Sequence, residues 1–302
     1  MRIDPRQLLN LLAIAEHGSF NRAAAARGIS QPALSGSIAE LERKLGYLVI
    51  TRTRRGSELN EYGRILVQGA RTVEALLAQT ADQLRLARLG VAGPLRVGAT
   101  PSMTLKFMPD LMGALLREES SVQIELREGL DDELIPALLR GDLDLVLGPA
   151  LGPALPVGLT EQALFDDAFA VGMSPRNPLA RRRSLSLTEL RDSLWVLPGP
   201  GSAYRRYIEA LFMAAGIPWP SNCVVSNNLQ LVESIITLTD RISMVTQLQV
   251  RAHNYWRMRT VPLRGGGRRT LSAKWRRIGT LPPIGTRLVE LAGAQGAELA
   301  SA

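Results

Sequence analysis

Residues 61 to 88 carry one uninterrupted helical pattern, and its length constrains the architecture more than any other feature of the chain. No Gly or Pro occurs between Gly69 and Gly90, so a helix capped by Asn60 runs on to about Arg88, roughly 40 Å at 1.5 Å per residue. A helix of that length outruns one small domain and reads as a connector with compact modules on both sides. Leu66, Ala70, Val73, Leu77, Thr80 and Leu84 follow one another in steps of four and three, the a and d positions of a short coiled coil, and such a seam needs a partner helix. The chain has 302 residues, enough for the two or three domains this requires.

Composition narrows the class. Apolar residues make 46%, charged residues 21% and aromatics 5%, which is globular and neither disordered nor collagenous. A single cysteine, Cys223, excludes an internal disulfide and a multi-thiolate metal site, and two histidines, His17 and His253, argue against histidine-based zinc. No metal and no cofactor is expected. The apolar run Leu8 to Ala15 followed by Ala23 to Ala26 imitates a signal peptide, but Asp4, Glu16, His17 and Arg22 are wrong for one. Pro149, Pro153 and Pro156 interrupt the uncharged stretch Leu145 to Thr160, which is too short to span a bilayer. A cytoplasmic protein without membrane contact is expected.

The N-terminal part reads as short helices. Leu8, Leu11, Leu12 and Ala15 recur at helical spacing up to Gly18; Asn21 suits the N-cap of Arg22 to Arg27; Gly28-Ile29 turns the chain; Ser30 caps the next helix, with Leu34, Ile38, Leu41 and Leu45 on one apolar face up to Gly46. Leu48 to Ile50 and Ser57 to Leu59 then form a small hairpin around Arg52, Arg54 and Arg55. Residues 1–60 hold nine Arg/Lys against five acids, the sign that phosphate contacts require.

After Gly90 to Pro94 the texture changes. Strands are expected at 95–99, 123–127, 143–147, 194–197, 224–226 and 242–245, alternating with helices near 105–118, 131–140, 203–215 and 228–238, the signature of an α/β domain. The Gly/Pro-rich stretch 148–158 and the basic stretch 264–269 bound a subdomain. Residues 241–277 hold ten basic residues and no acid; a solvated face or subunit contact is the simplest reading, and no function is assigned to it.

Gly18-Ser19-Phe20-Asn21-Arg22-Ala23-Ala24, Ser30-Gln31-Pro32-Ala33-Leu34-Ser35, Ile38, Leu41-Glu42, Leu45-Gly46 and Arg52-Thr53-Arg54-Arg55-Gly56 together resemble the winged helix-turn-helix of LysR-type transcriptional regulators, from residue 3 to about 64. Short polar side chains at the exposed start of a second helix reach base edges in a major groove. Gln31 and Ser35 are therefore the candidates for base reading, Pro32 for a thymine methyl or simply for helix initiation, and Asn21 and Ser30 complete the DNA-facing set. Arg52, Arg54 and Arg55 lie where the family contacts backbone or minor groove, a solvated hairpin being the alternative. Gly36 departs from the larger residue many members carry.

The later segments Leu95 to Thr100, Glu125 to Gly129, Gly141 to Leu145, Pro178 to Ala180 and Leu197-Pro198 look like the LysR-type effector domain, which resembles type 2 periplasmic binding proteins, two α/β lobes around a ligand cleft. The resemblance implies a winged helix-turn-helix at 1–60, a dimerisation helix at 61–90 using Leu66, Ala70, Val73, Leu77 and Leu84, and an effector domain at 91–302, with lobe I about 91–163 and 268–302 and lobe II about 164–267. Thr100, Ser102, Gly129, Gly201, Ser202, Asn228 and Thr246 are the expected effector residues, with Asn227 beside them. Two strand-to-helix junctions, at Ser102 and Ser202, offer helix N-termini that favour a small polar, anionic metabolite; either serine serves equally as an ordinary N-cap. Arg205, in the first turn of its helix, calls for a nearby anion or acid. The implied partners are double-stranded DNA with two half-sites, a small-molecule effector and further copies of the chain, with a tetramer preferred over a dimer. An enzyme is the rival class, yet no nucleophile elbow, dinucleotide fingerprint, phosphate loop or His-Glu-x-x-His is present. A purely architectural DNA binder would not need the large second domain.

Overall fold

In the computed structural model, which describes residues 3–53, 56–88, 94–251, 258–278 and 281–301, the chain divides into two compact units, Met1–Val91 with Leu139–Asp142, and Ala92–Leu138 with Leu143–Ala302. Short polar caps and left-handed glycines set the helix boundaries of the first. Helix α1 (Pro5–His17) starts where Asp4 Oδ1 accepts the Arg6 N–H at 2.9 Å. It stops at Gly18, and the next two helices stop at Gly28 and Gly46, with φ of 65°, 64° and 82°, a conformation that costs glycine nothing. Helix α2 (Phe20–Arg27) is capped by Ser19, whose Oγ accepts the Arg22 N–H at 3.2 Å. Asn21 is thus the second residue of α2, exposed, and not its cap; Ser and Asn cap equally well, and the backbone entered the helix earlier.

Helix α3 (Gln31–Leu45) begins at Ser30, whose Oγ accepts the Ala33 N–H at 3.3 Å. Leu34, Ile38, Leu41 and Leu45 pack with Leu11, Leu12, Ala23 and Ala24 into one core. Strands β1 (Ile50–Thr53) and β2 (Gly56–Leu59) form the antiparallel hairpin, with Arg52 opposite Ser57. Glu42 Oε1 ties it to α3 by accepting the Val49 and Ile50 N–H groups at 2.8 and 3.3 Å. Asn60 Oδ1 accepts the Gly63 N–H at 3.0 Å at the start of α4 (Glu61–Arg88). The beginning of α4 lies on α1 and buries Val67 and Ala70 in this core, with Leu66 half-covered. Ala70 is therefore interior and not available to a seam, Val73 is half-buried, and Leu77 and Leu84 remain exposed.

In the second unit, β3 (Leu95–Ala99), β4 (Ile124–Glu128) and β5 (Leu145–Pro149) are parallel, with α5 (Pro101–Thr104), α6 (Phe107–Glu118) and α7 (Asp131–Arg140) between them. Then come β6 (Leu159–Met173), β7 (Trp195–Leu197), α8 (Ala203–Ala214), β8 (Cys223–Val225), α9 (Leu229–Leu238), β9 (Ile242–Thr246), α10 (Gln247–Arg251), β10 (Arg259–Pro262), β11 (Arg268–Arg276) and α11 (Pro283–Ser301). The sheet order is β4-β3-β5-β11-β6-β9-β7-β8, with β10 also on β6.

Two apolar cores form around this sheet. Val97, Phe107, Leu111, Leu145 and Leu288 belong to one, and Val171, Trp195, Ile208, Phe212 and Ile242 to the other. Strand β6 crosses between them, giving Phe165 to the first and Phe169 to the second. β10 and α11 go beyond the sequence expectation, as do the long β6 and β11, whose inward positions are occupied by Asp167, Arg269, Lys274 and Arg276, which break any apolar alternation. Among the described residues no helix is long and apolar enough to cross a membrane.

Candidate functional site

On the first unit the exposed start of α3 presents Gln31 and Pro32 directly after Ser30, with Ser35 one turn on and half-buried against the helix packing. Asn21 is exposed on the neighbouring α2. Arg52 lies on β1; Arg54 and Arg55 lie outside the described residues. Gly36 is exposed on α3, with nothing close to the position a Cβ would take.

In the second unit a cavity of about 650 Å³, counting its open mouth, is walled by the strand ends of both lobes. The sequence places polar residues there because each parallel strand ends in a turn that starts a helix, so the residue after the strand faces the crevice. Thr100, Ser102, Asp131 and Pro149 come from one lobe, and Leu197, Ser202, Tyr204, Asn227 and Met244 from the other.

Arg269 of β11 is the centre of this arrangement. Its guanidinium donates to Asp167 Oδ2 from Nε at 3.2 Å and from Nη2 at 2.9 Å, and Nη2 also reaches Ser102 Oγ at 2.9 Å and Thr246 Oγ1 at 3.4 Å. Asp167 Oδ1 is held in turn by the Leu248 N–H at 2.9 Å. The guanidinium lies 5.2 Å from the Tyr204 ring centroid, a cation–π distance. Burial pushes the Tyr204 phenol upward, and it donates to the Met244 carbonyl at 2.7 Å.

Asp131 joins the two lobes: its Oδ2 accepts the Ala203 N–H at the start of α8 at 2.9 Å. Ser202 Oγ accepts the Arg205 N–H at 3.0 Å, so the first turn of α8 is already capped from two sides. The other expected helix terminus, at Ser102, belongs to the four-residue α5, where Thr100 makes no capping bond. Two bare helix ends facing a ligand are thus not what the fold builds, because an aspartate from across the cleft occupies the stronger one. Arg205 has a local partner, donating to Glu209 Oε1 at 2.6 Å and to the Pro198 carbonyl at 2.7 Å while lying 3.7 Å over the Trp219 ring.

Of the expected effector residues, Thr100, Ser102 and Ser202 line the cavity and Thr246 stands behind it on Arg269. Gly129, Gly201 and Asn228 are not on its wall. Gly129 donates its N–H to the Ala99 carbonyl at 3.2 Å; Gly201, at φ 99°, leaves the space that Asp132 fills, where a Cβ would collide with the carboxylate; and Asn228 Oδ1 caps α9 by accepting the Leu231 N–H at 3.0 Å. Asn227 is on the wall, its Oδ1 accepting the Gly199 N–H at 2.8 Å. Asp131 and Arg269 are not among the expected effector residues. No local pattern marks them, since Arg269 meets Ser102 across 167 residues.

The basic stretch 241–277 is not simply a solvated face. Arg269, Lys274 and Arg276 point inward to Asp167, Glu161 and Asp144 at 2.9, 3.7 and 3.3 Å. Desolvation lowers Lys274 to about 8, the nearby Glu161 opposing it.

Comparison with known proteins now identifies both parts. Residues 5–64 match the family model for the bacterial regulatory helix-turn-helix protein, lysR family, and residues 88–297 match the LysR substrate binding domain. The HTH-type transcriptional regulator GbpR of Azospirillum brasilense is 27% identical over 244 residues, covering 80% of this chain and 71% of that protein. HinK, a LysR family regulator from Pseudomonas aeruginosa, shares the fold at a TM-score of 0.61 with 20% identity, over 99% of this chain and 100% of that one. Full-length CbnR, solved in complex with its target DNA, superposes at 0.56 with 23% identity, over 97% and 100% of the two chains. With both domains matched in order along its length, this chain belongs to the LysR family: it is a DNA-binding transcriptional regulator with an effector-binding domain, and not an enzyme.

Proposed function

We propose that the chain is a sequence-specific regulator whose output is set by a small polar metabolite held in the cavity between the lobes, with an acidic group of that metabolite directed toward Arg269. The working division is DNA binding at 1–60, self-association through the helix at 61–90 and effector binding at 91–302. Gln31, Pro32 and Ser35 read base edges, while Asn21, Ser30, Arg52, Arg54 and Arg55 hold the sugar-phosphate backbone or minor groove. Two copies paired through α4 present two such helices to the two half-sites of an operator, and a tetramer is the preferred assembly. The protein acts in the cytoplasm, on the chromosome.

One observation supports the effector reading above the others: hydroxyls from both lobes, Ser102 and Ser202, line one cavity together with a buried guanidinium. A mostly apolar crevice with a few convergent polar groups is the usual form of a small-molecule site. The test is Ser202→Trp, which puts a large side chain on the cavity wall and changes none of the DNA-facing residues. Footprinting on the DNA beside the chain's own gene, with a panel of small carboxylic and hydroxy acids, is expected to show operator protection kept and every metabolite-dependent change lost. A metabolite response that survives Ser202→Trp would overturn the reading.

A further inference from the structure

Two buried polar atoms of residues that line the cavity lack a hydrogen-bond partner among the described residues: Thr100 Oγ1 and Asp131 Oδ1. Both residues are 5% exposed, so bulk water does not compensate them, and a buried acceptor without a donor is costly. They flank one point of β5, where a Cβ on Gly148 would lie 3.3 Å from Thr100 Oγ1 and 3.7 Å from Asp131 Oδ1. The neighbouring groups are otherwise engaged. Asp131 Oδ2 holds the Ala203 N–H; Lys274 Nζ donates to the Gly148 carbonyl at 3.3 Å, faces Glu161 at 3.7 Å and acts on Asp131 through its charge alone; and Arg269 is held by Asp167 through Nε and Nη2, with no hydrogen bond from Nη1 among the described residues.

Resting on the effector reading above, we infer that the metabolite presents an O–H or N–H donor to Asp131 Oδ1 and Thr100 Oγ1. A carboxylate oxygen only accepts, so it selects a donor and repels a carbonyl or second carboxylate placed against it. The pair thus assigns an end to the ligand: the donor lies against Asp131, its apolar body against Leu197, Leu229, Val232 and Val245, and its acidic group toward Arg269. A simple unsubstituted carboxylic acid satisfies only half of this site. Hydroxy acids and amino acids satisfy both halves.

The experiment uses fragments with one apolar body and one changed group: benzyl alcohol against benzyl methyl ether, cyclohexanol against methoxycyclohexane, and phenol against anisole. Binding is measured by saturation-transfer NMR on the full chain. Each ether is the more hydrophobic member, so burial of apolar surface alone favours it. Wild-type protein is expected to prefer the alcohol about fivefold or more. Asp131→Asn keeps an oxygen for the Ala203 N–H and turns an N–H toward the cavity, so the preference is expected to vanish or reverse toward the ether, which a merely structural role would not produce. Thr100→Val, nearly isosteric, should reduce the preference and guards against a misfolded Asp131 variant. Ser202→Trp is the cavity control. Equal or ether-biased binding in wild type that Ser202→Trp abolishes overturns the donor assignment and leaves the cavity reading standing; absence of any fragment binding sensitive to Ser202→Trp overturns both.

Discussion

Three basic side chains on one strand show how far the surroundings of a residue override its ordinary preference. Arg269, Lys274 and Arg276 of β11 lie in the interior, each matched to an acid from another strand or strand end. A buried pair of this kind contributes less to net stability than it suggests, but removing one member leaves an uncompensated charge. Lys274 gives the measurable case. Its side chain is fully buried, and desolvation takes its pKa from 10.5 to about 8. Between those values the unfolded chain holds a proton that the folded chain has released, so stability rises as pH rises from about 8 to 10.5, by about 3 kcal/mol at the upper end. Urea titrations of wild type and Lys274→Met over that window are expected to show the rise only in wild type. A parallel pH dependence in both proteins would place the titration elsewhere. Glu161 keeps its other donors in the variant, the Leu151 and Gly152 N–H groups and Ser272 Oγ at 2.9, 3.1 and 3.0 Å.

Helix α4 separates two roles along one element. Its beginning packs on α1, where Ala70 is fully buried, whereas Leu77 is 55% and Leu84 68% exposed. The apolar stripe of the sequence therefore contains a folding half and a free half. Ile65, at 61% exposure, adds to the free surface although it falls outside the a and d positions. Leu77→Asp is expected to leave the melting of the helical domain unchanged and to shift the protein to monomer in light scattering, because the site is bare within a single chain. Ala70→Asp, by contrast, is expected to unfold that domain. Wild-type mass for Leu77→Asp would remove α4 from the assembly.

For the whole molecule, the DNA-binding domain and the effector-binding domain have separate cores. Their contributions to binding differ in kind. A base contact, the role proposed for Gln31, discriminates sequence, whereas a phosphate contact, the role proposed for the hairpin arginines, acts on any duplex. Gln31→Ala is expected to cost about 1–3 kcal/mol on the operator and little on random DNA, while Arg54→Ala weakens both and lowers the salt slope by about 1. Fluorescence anisotropy on the two DNAs across a salt series distinguishes these outcomes, and equal losses for Gln31→Ala would reassign it to the backbone.

The local half of this protein is legible from its residues because its signals are local. Gly18, Gly28, Gly46, Ser30 and Asn60 end or begin helices through bonds to residues three or four positions away, so the helix-turn-helix and its connector follow directly from sequence. Ser19 against Asn21 shows the limit, two good caps within one turn that only the backbone distinguishes. The strands β3, β5, β7, β8 and β9 are legible for a similar reason, as apolar runs between turns. The centre of the cavity is different. Arg269 reads as part of a basic stretch until β6 and β11 pair and bring Asp167 to 2.9 Å from it. Asp131 reads as a helix-end acid until the start of α8 arrives from the other lobe to meet it. A buried charge becomes acceptable only when its partner is already in place, and that partner, more than 70 residues away in every case here, is supplied by the tertiary fold alone.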